Sequence, residues 1–106
     1  MARILLVEGD EAIRGLAYKV LADMGHTLYE APNGVDAIKW CCQYEIDLII
    51  SDCLMPLMPL PPFILHTSDY DNQRLRNIAL NAGALAVIEK IGDIKAFRQV
   101  INQFLG

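Results

Sequence analysis

Apolar positions change their period several times along the chain, and each change marks an element. Arg3 to Val7 is a short aliphatic run that stops at Glu8-Gly9-Asp10; beyond it Ile13, Leu16, Ala17, Val20, Leu21 and Met24 recur at helical spacing. The pattern predicts a strand, an acidic loop and a helix, with Asp10 as the helix N-cap and Gly25 as its stop. Thr27 to Ala31 predicts a second strand, followed after Pro32-Asn33-Gly34 by a helix carrying Val35, Ile38 and Cys42 on one face. Ile46 to Ser51 predicts a third strand, apolar enough at Leu48, Ile49 and Ile50 to be covered on both faces, with Asp52 at its carboxyl end.

The alternation then falters. Pro56, Pro59, Pro61 and Pro62 forbid a regular helix before Phe63 to Thr67 resumes as a fourth strand. Asn72 to Ala82 follows with Leu75, Ile78, Ala79 and Ala82 at helical spacing and Gly83 as the stop. Leu85 to Glu89 predicts a fifth strand, and Gly92-Asp93 opens a last helix with Ile94, Phe97, Ile101, Phe104 and Leu105 on its apolar face. Strands alternating with helices predict an α/β fold: a doubly wound, five-stranded parallel sheet with right-handed crossovers.

At 106 residues the chain has room for one compact domain, residues 1–106, and not for two of ordinary size. A hydrophobic fraction of 54% against 21% charged residues gives ample material for a core. The net charge of −4, with basic residues scattered singly, argues against direct nucleic-acid binding. Apolar stretches are too interrupted for a membrane span, and no signal peptide precedes the first strand, so the expected location is cytoplasmic. Three cysteines, two of them adjacent at Cys41 and Cys42, make neither a disulfide framework nor a zinc site and read as reduced thiols.

In a sheet of this kind, functional groups gather at the carboxyl ends of the strands, where the strand order reverses. Glu8 and Asp10 follow the first strand, Asp52 the third, Thr67 and Ser68 the fourth, and Lys90 the fifth. Taken singly, each reads as a cap or a loop residue; together they suit phosphoryl transfer to a carboxylate. Asp52 would attack phosphorus, acidic neighbours would hold Mg²⁺, and the Lys90 ammonium and Thr67 hydroxyl would meet phosphoryl oxygens.

The runs Ile4-Leu-Leu-Val-Glu8, Asp52-Cys-Leu-Met-Pro56, Thr67-Ser68, Ala82-Gly83-Ala84 and Lys90 stand in the order found in response-regulator receiver domains, which the chain resembles over almost its whole length. The resemblance implies a flavodoxin-like sheet of order 2-1-3-4-5, Asp52 as phospho-acceptor, Thr67 as switch hydroxyl and Lys90 as the phosphate-pairing lysine. It further implies Mg²⁺ held by Glu8, Asp52 and the Leu54 backbone carbonyl. The expected partners are a histidine kinase or histidine phosphotransfer protein and a downstream protein target.

Several positions depart from the pattern. Gly9 stands where the family carries a second acid, so Mg²⁺ binding is expected to be weakened or lost unless Asp10 reaches in from the next position. The interval from Asp52 to Thr67 is short by about one helix, the third, which a Pro-rich loop replaces; its loss would uncover apolar sheet surface that Leu54, Leu57, Met58 and Leu60 cover in part or that a homodimer covers. Val87 replaces the family's strand-five aromatic, and Lys90-Ile91 its Lys-Pro. Trp40, Tyr70, His26 and His66 are read as structural. Two readings stay open: a stand-alone phospho-switch without an effector domain, or a pseudo-receiver that binds or dimerises independently of phosphorylation. An independent enzyme ranks behind both.

Overall fold

Buried aliphatic runs fix the architecture. The computed structural model describes residues 1–53 and 61–105. Its elements are β1 (Arg3–Val7), α1 (Glu11–Asp23), β2 (Thr27–Ala31), α2 (Gly34–Gln43), β3 (Leu48–Ser51), β4 (Phe63–Thr67), α3 (Gln73–Asn81), β5 (Ala86–Glu89) and α4 (Ile94–Leu105). The strands form one sheet in the order β2-β1-β3-β4-β5, every pair parallel. This is the doubly wound parallel sheet that the pattern predicts, in the flavodoxin-like order that the resemblance implies. Four helices occur among the described residues and none lies between β3 and β4. The Pro-rich segment 54–60, with Leu54, Leu57, Met58 and Leu60, lies outside those residues.

Two apolar layers sandwich the sheet. On one face Ile4, Leu6, Leu48, Ile50 and Ile64 pack with Ala17, Val20 and Leu21 of α1 and Phe97 and Ile101 of α4. On the other, Leu5, Val7, Ile49, Phe63, Leu65 and Val87 pack with Ala37 of α2 and Ala79 of α3. Alternate residues of one strand feed opposite layers, so every side chain of the central β3 is buried. Ile49, Phe63 and Leu65 of this second layer are buried as well.

The helix ends follow local chemistry. Asp10 caps α1 by accepting from the Ala12 and Ile13 amides, Asn33 caps α2 through Asp36, and Asn72 caps α3 through Leu75. Gly25 and Gly83 end their helices at φ +91° and +103°, a region that disfavours a Cβ.

Some expected faces are corrected. The inward side of α2 is Ala37, Trp40 and Cys41, whereas Val35 and Cys42 point outward. The cause is an aromatic cluster: Tyr29 of β2 meets Trp40 at 5.2 Å and Tyr44 at 4.8 Å between ring centroids, and the Trp40 indole donates to the Glu30 carbonyl at 2.8 Å. Leu16, Ile78 and Ile94, read as inward-facing, are exposed.

Candidate functional site

Register brings the chemistry together. Val7 pairs with Ser51, so Glu8 and Asp52 emerge side by side at the point where the strand order reverses. Thr67 pairs with Glu89, which sets Lys90 at the same edge. Backbone bonds extend the ladder past each strand end: the Glu8 amide donates to Ala31 at 3.0 Å, Asp52 to Val7 at 3.1 Å and Lys90 to Thr67 at 2.9 Å.

Glu8 is the electrostatic centre of this edge. It is buried, and its Oε2 accepts from Lys90 Nζ at 2.9 Å and from the Asp10 amide at 3.1 Å. Among the described residues its other oxygen, Oε1, has no hydrogen-bond partner; His66 Nδ1 lies 3.9 Å from it. A buried carboxylate without compensation is costly, so the Lys90 ammonium is its counter-charge. Arg14 donates to the Glu8 carbonyl at 2.8 Å and faces Glu30 Oε1 at 3.4 Å, which ties α1 to the acidic loop.

Asp52 is partly buried, and its Oδ2 accepts a longer contact from the Gly9 amide at 3.4 Å. The Thr67 hydroxyl oxygen accepts from the Asp69 amide at 3.0 Å. Glu8, Asp52 and Lys90 therefore stand at one end of the sheet, whereas the described contact of the Thr67 hydroxyl is with its own loop. Asp10 is occupied at the α1 cap through Oδ1. Behind Asp52, the Ser51 hydroxyl donates to the Cys53 carbonyl at 2.7 Å. Burial pushes the Cys53 thiol above its usual range, and nearby Asp52 and Glu8 add to the rise against a Ser51 hydrogen bond.

His66 and Arg14 were not singled out from sequence as parts of the site. His66 is 1% exposed, and its Nε2 accepts from the Ile91 amide at 2.9 Å. Burial, followed by the nearby Lys90 charge, lowers its pKa to about 4 against a smaller pull upward from Asp52, so the ring is neutral at neutral pH. Only its position beside Thr67 in an otherwise aliphatic strand could have flagged it. His26 has the structural role expected, accepting the Ala2 amide at its Nδ1.

The set expected for Mg²⁺, Glu8, Asp52 and the Leu54 carbonyl with Asp10 as a substitute for the acid missing at Gly9, is only partly in place. Leu54 lies outside the described residues, Glu8 is committed to Lys90 and the Asp10 amide, and Asp10 to its cap. Among the described residues no group of three or more His, Cys, Asp or Glu side chains is placed to hold a metal ion. Mg²⁺ demands near-octahedral oxygen geometry. Among the described residues Glu8 and Asp10, both already engaged, do not meet that demand.

A cleft of about 320 Å³ runs between β5 and α4, lined by Val87, Lys90, Ile91, Phe97 and Tyr70 among others. Tyr70 reaches it from the loop after β4, with the Arg76 guanidinium 4.8 Å from its ring centroid.

Known proteins share both the fold and the sequence. The chemotaxis protein CheY4 of Vibrio cholerae superposes with a TM-score of 0.85 at 21% identity, covering 98% of each chain, which establishes the fold alone. The probable transcriptional regulator ycf29 of Pyropia yezoensis is 41% identical over 56 residues, 53% of this chain and 25% of its own. The sensor kinase CckA of Brucella abortus is 35% identical over 65 residues, 59% of this chain and 7% of its own. The chain thus spans a quarter or less of the length of these two relatives. The sequence profile of the response regulator receiver domain matches residues 4–59, the stretch that carries Glu8 and Asp52 to their strand ends. Matched over half its length and folded as a receiver throughout its described residues, the chain belongs to the response regulator receiver domain family.

Proposed function

We propose that this receiver of two-component signalling accepts a phosphoryl group on Asp52 from a histidine kinase or histidine phosphotransfer protein. The observation that carries the reading is the placement of Asp52 and the Glu8–Lys90 pair at the carboxyl ends of β3, β1 and β5, with the Gly9 amide on Asp52. An Asp52 carboxylate oxygen forms the bond to phosphorus while the phosphorus–nitrogen bond to the donor imidazole breaks. The imidazole leaves with the electron pair and takes up a proton, and an acyl phosphate remains on Asp52. Lys90 then turns its ammonium from Glu8 toward a phosphoryl oxygen. The Thr67 oxygen accepts from Asp69, so its own proton is free to donate to another.

Phosphorylation adds about 1.5 to 2 negative charges at the site. Drawing Thr67 inward moves the Asp69-Tyr70 segment that lines the cleft beside β5 and α4, the face proposed to meet a downstream protein. Residues 1–106 act in this reading as one cytoplasmic receiver domain with no catalytic activity on other molecules; a second copy of the chain is a further proposed partner. No helix among the described residues is long and apolar enough to cross a membrane.

The internal pairing of Glu8 with Lys90, next to Gly9 in place of a second acid, favours a second reading. In it the acidic loop is self-neutralised and the fold serves as a pseudo-receiver, binding without phosphate. Incubation with acetyl phosphate, with and without Mg²⁺, followed by intact-mass measurement separates the two. A gain of one phosphoryl mass in the wild type and none in Asp52→Asn supports the phospho-switch. No gain in folded wild-type protein leaves the pseudo-receiver.

A further inference from the structure

His66 occupies an unusual place for a polar ring. It precedes Thr67 on β4, and strand alternation turns it into the layer formed with α1 and α4, where its ring meets Phe97 edge-on at 5.6 Å. A polar ring buried among aliphatic side chains destabilises the fold unless it is hydrogen-bonded. Its Nε2 accepts the Ile91 amide at 2.9 Å, which assigns the ring proton to Nδ1. Nδ1 in turn faces Glu8 Oε1 at 3.9 Å, a buried oxygen without a hydrogen-bond partner among the described residues.

The bond to Ile91 bears directly on Lys90. The Lys90 amide donates to the Thr67 carbonyl, and the next amide along the chain donates to His66. Consecutive amides are thereby anchored to consecutive residues of β4, and the lysine side chain leaves this doubly held backbone to meet Glu8 Oε2. A proline at position 91 would carry no N–H and could not make the bond; isoleucine can. Glu8, His66, Lys90 and Ile91 thus link the ends of β1, β4 and β5.

We propose that His66 is a positioning residue: by holding the Ile91 amide it fixes the β5 terminus and aims the Lys90 ammonium at the Glu8–Asp52 edge, where it serves phosphoryl transfer. The last clause rests on the phospho-acceptor reading above; the positioning itself does not.

The test compares His66→Leu, which fills the space without an acceptor, with His66→Gln, whose amide oxygen reaches the place of Nε2. Amide hydrogen exchange of Ile91 and the Lys90 side-chain chemical shifts are recorded by NMR, and acetyl-phosphate labelling by intact mass. Expected for His66→Leu are a loss of Ile91 protection of roughly tenfold, shifted Lys90 signals and labelling slowed by roughly tenfold, with β1 and β3 amides still protected. His66→Gln should recover most of all three. Unchanged Ile91 exchange and Lys90 shifts in His66→Leu, or labelling that His66→Gln fails to recover along with them, would overturn the proposal. If the wild type does not label, the phospho-acceptor reading fails, and the two NMR measurements still decide the positioning. Should His66→Leu not fold, His66→Asn, which stays polar but is too short to reach the Ile91 amide, takes its place.

Discussion

Lys90 Nζ lies 2.9 Å from Glu8 Oε2 across 82 positions of sequence, and the carboxylate it meets is almost completely buried. The lysine is one-fifth exposed, so the pair sits at the rim of the site with its anion inside and its cation reaching toward solvent. In the proposed phospho-acceptor reading, such an arrangement leaves Lys90 able to turn toward a phosphoryl oxygen. It also makes Glu8 dependent on Lys90.

Lys90→Gln should therefore lower stability by about 2–4 kcal/mol in denaturant unfolding, because it strands a buried carboxylate. Adding Glu8→Gln should recover a large part of that loss, since the charge that needed a partner has gone. Losses that simply add in the double variant would mean the two side chains are not coupled.

Gly9→Asp restores the acid that the family pattern carries at this position. An added Cβ would lie 3.4 Å from the Pro32 carbonyl oxygen, ordinary contact, and Gly9 is not among the glycines of positive φ. The variant should fold with stability within about 1 kcal/mol of wild type. It should bind Mg²⁺ roughly tenfold or more tightly, read by titration calorimetry, because a second exposed carboxylate joins Asp52. Equal affinity in both proteins would show that Gly9 is not what limits metal binding.

Asp10 can be tested as cap and as ligand separately. Asp10→Ala should cost about 1 kcal/mol through loss of the α1 cap, whereas Asp10→Asn should keep the cap and remove only the charge. If Asp10 acts only as a cap, Asp10→Asn labels with acetyl phosphate at the wild-type rate. A Mg²⁺-dependent fall in that rate would make Asp10 a ligand.

The strands were more legible than the helix faces and the site contacts. β1, β2 and β4 have the bounds that the sequence pattern predicts; β1 and β4 show as largely apolar runs because they are buried, whereas the edge strand β2, Thr27–Ala31, is only partly buried and is marked by the turn residues around it. α2 was turned to the wrong side: its inward face is set by Trp40 and Tyr44 meeting Tyr29 of β2, a non-local fit that periodicity does not encode. Strand ends disclosed Glu8, Asp52, Thr67 and Lys90 as neighbours, but not that Lys90 pairs with Glu8. His66 reads as structural for want of a visible partner in sequence; its partner is a backbone amide 25 residues away and its neighbour is the Glu8 carboxylate just past β1, and neither leaves a trace in local sequence.

That burial of His66 makes stability depend on pH in a definite direction. Its folded pKa is lowered to about 4, by burial first and by Lys90 second, against an unfolded value of 6.5. Between those values the unfolded chain binds a proton that the folded chain refuses, so acid favours unfolding. The neutral-ring contribution is fully present above about pH 6.5 and is lost as pH falls toward 4, amounting to roughly 3 kcal/mol over the window. Glu8, Lys90 and Asp52 are the charged groups around the ring, and they remain in His66→Gln. Denaturation midpoints of both proteins, followed from pH 7.5 to 4.5, should therefore diverge: the wild type falls more steeply below pH 6.5, and the difference between the two curves isolates the imidazole. Parallel curves would mean that His66 takes up its proton in the folded protein as readily as in the unfolded one, and the ring would then be charged beside Lys90 in mild acid.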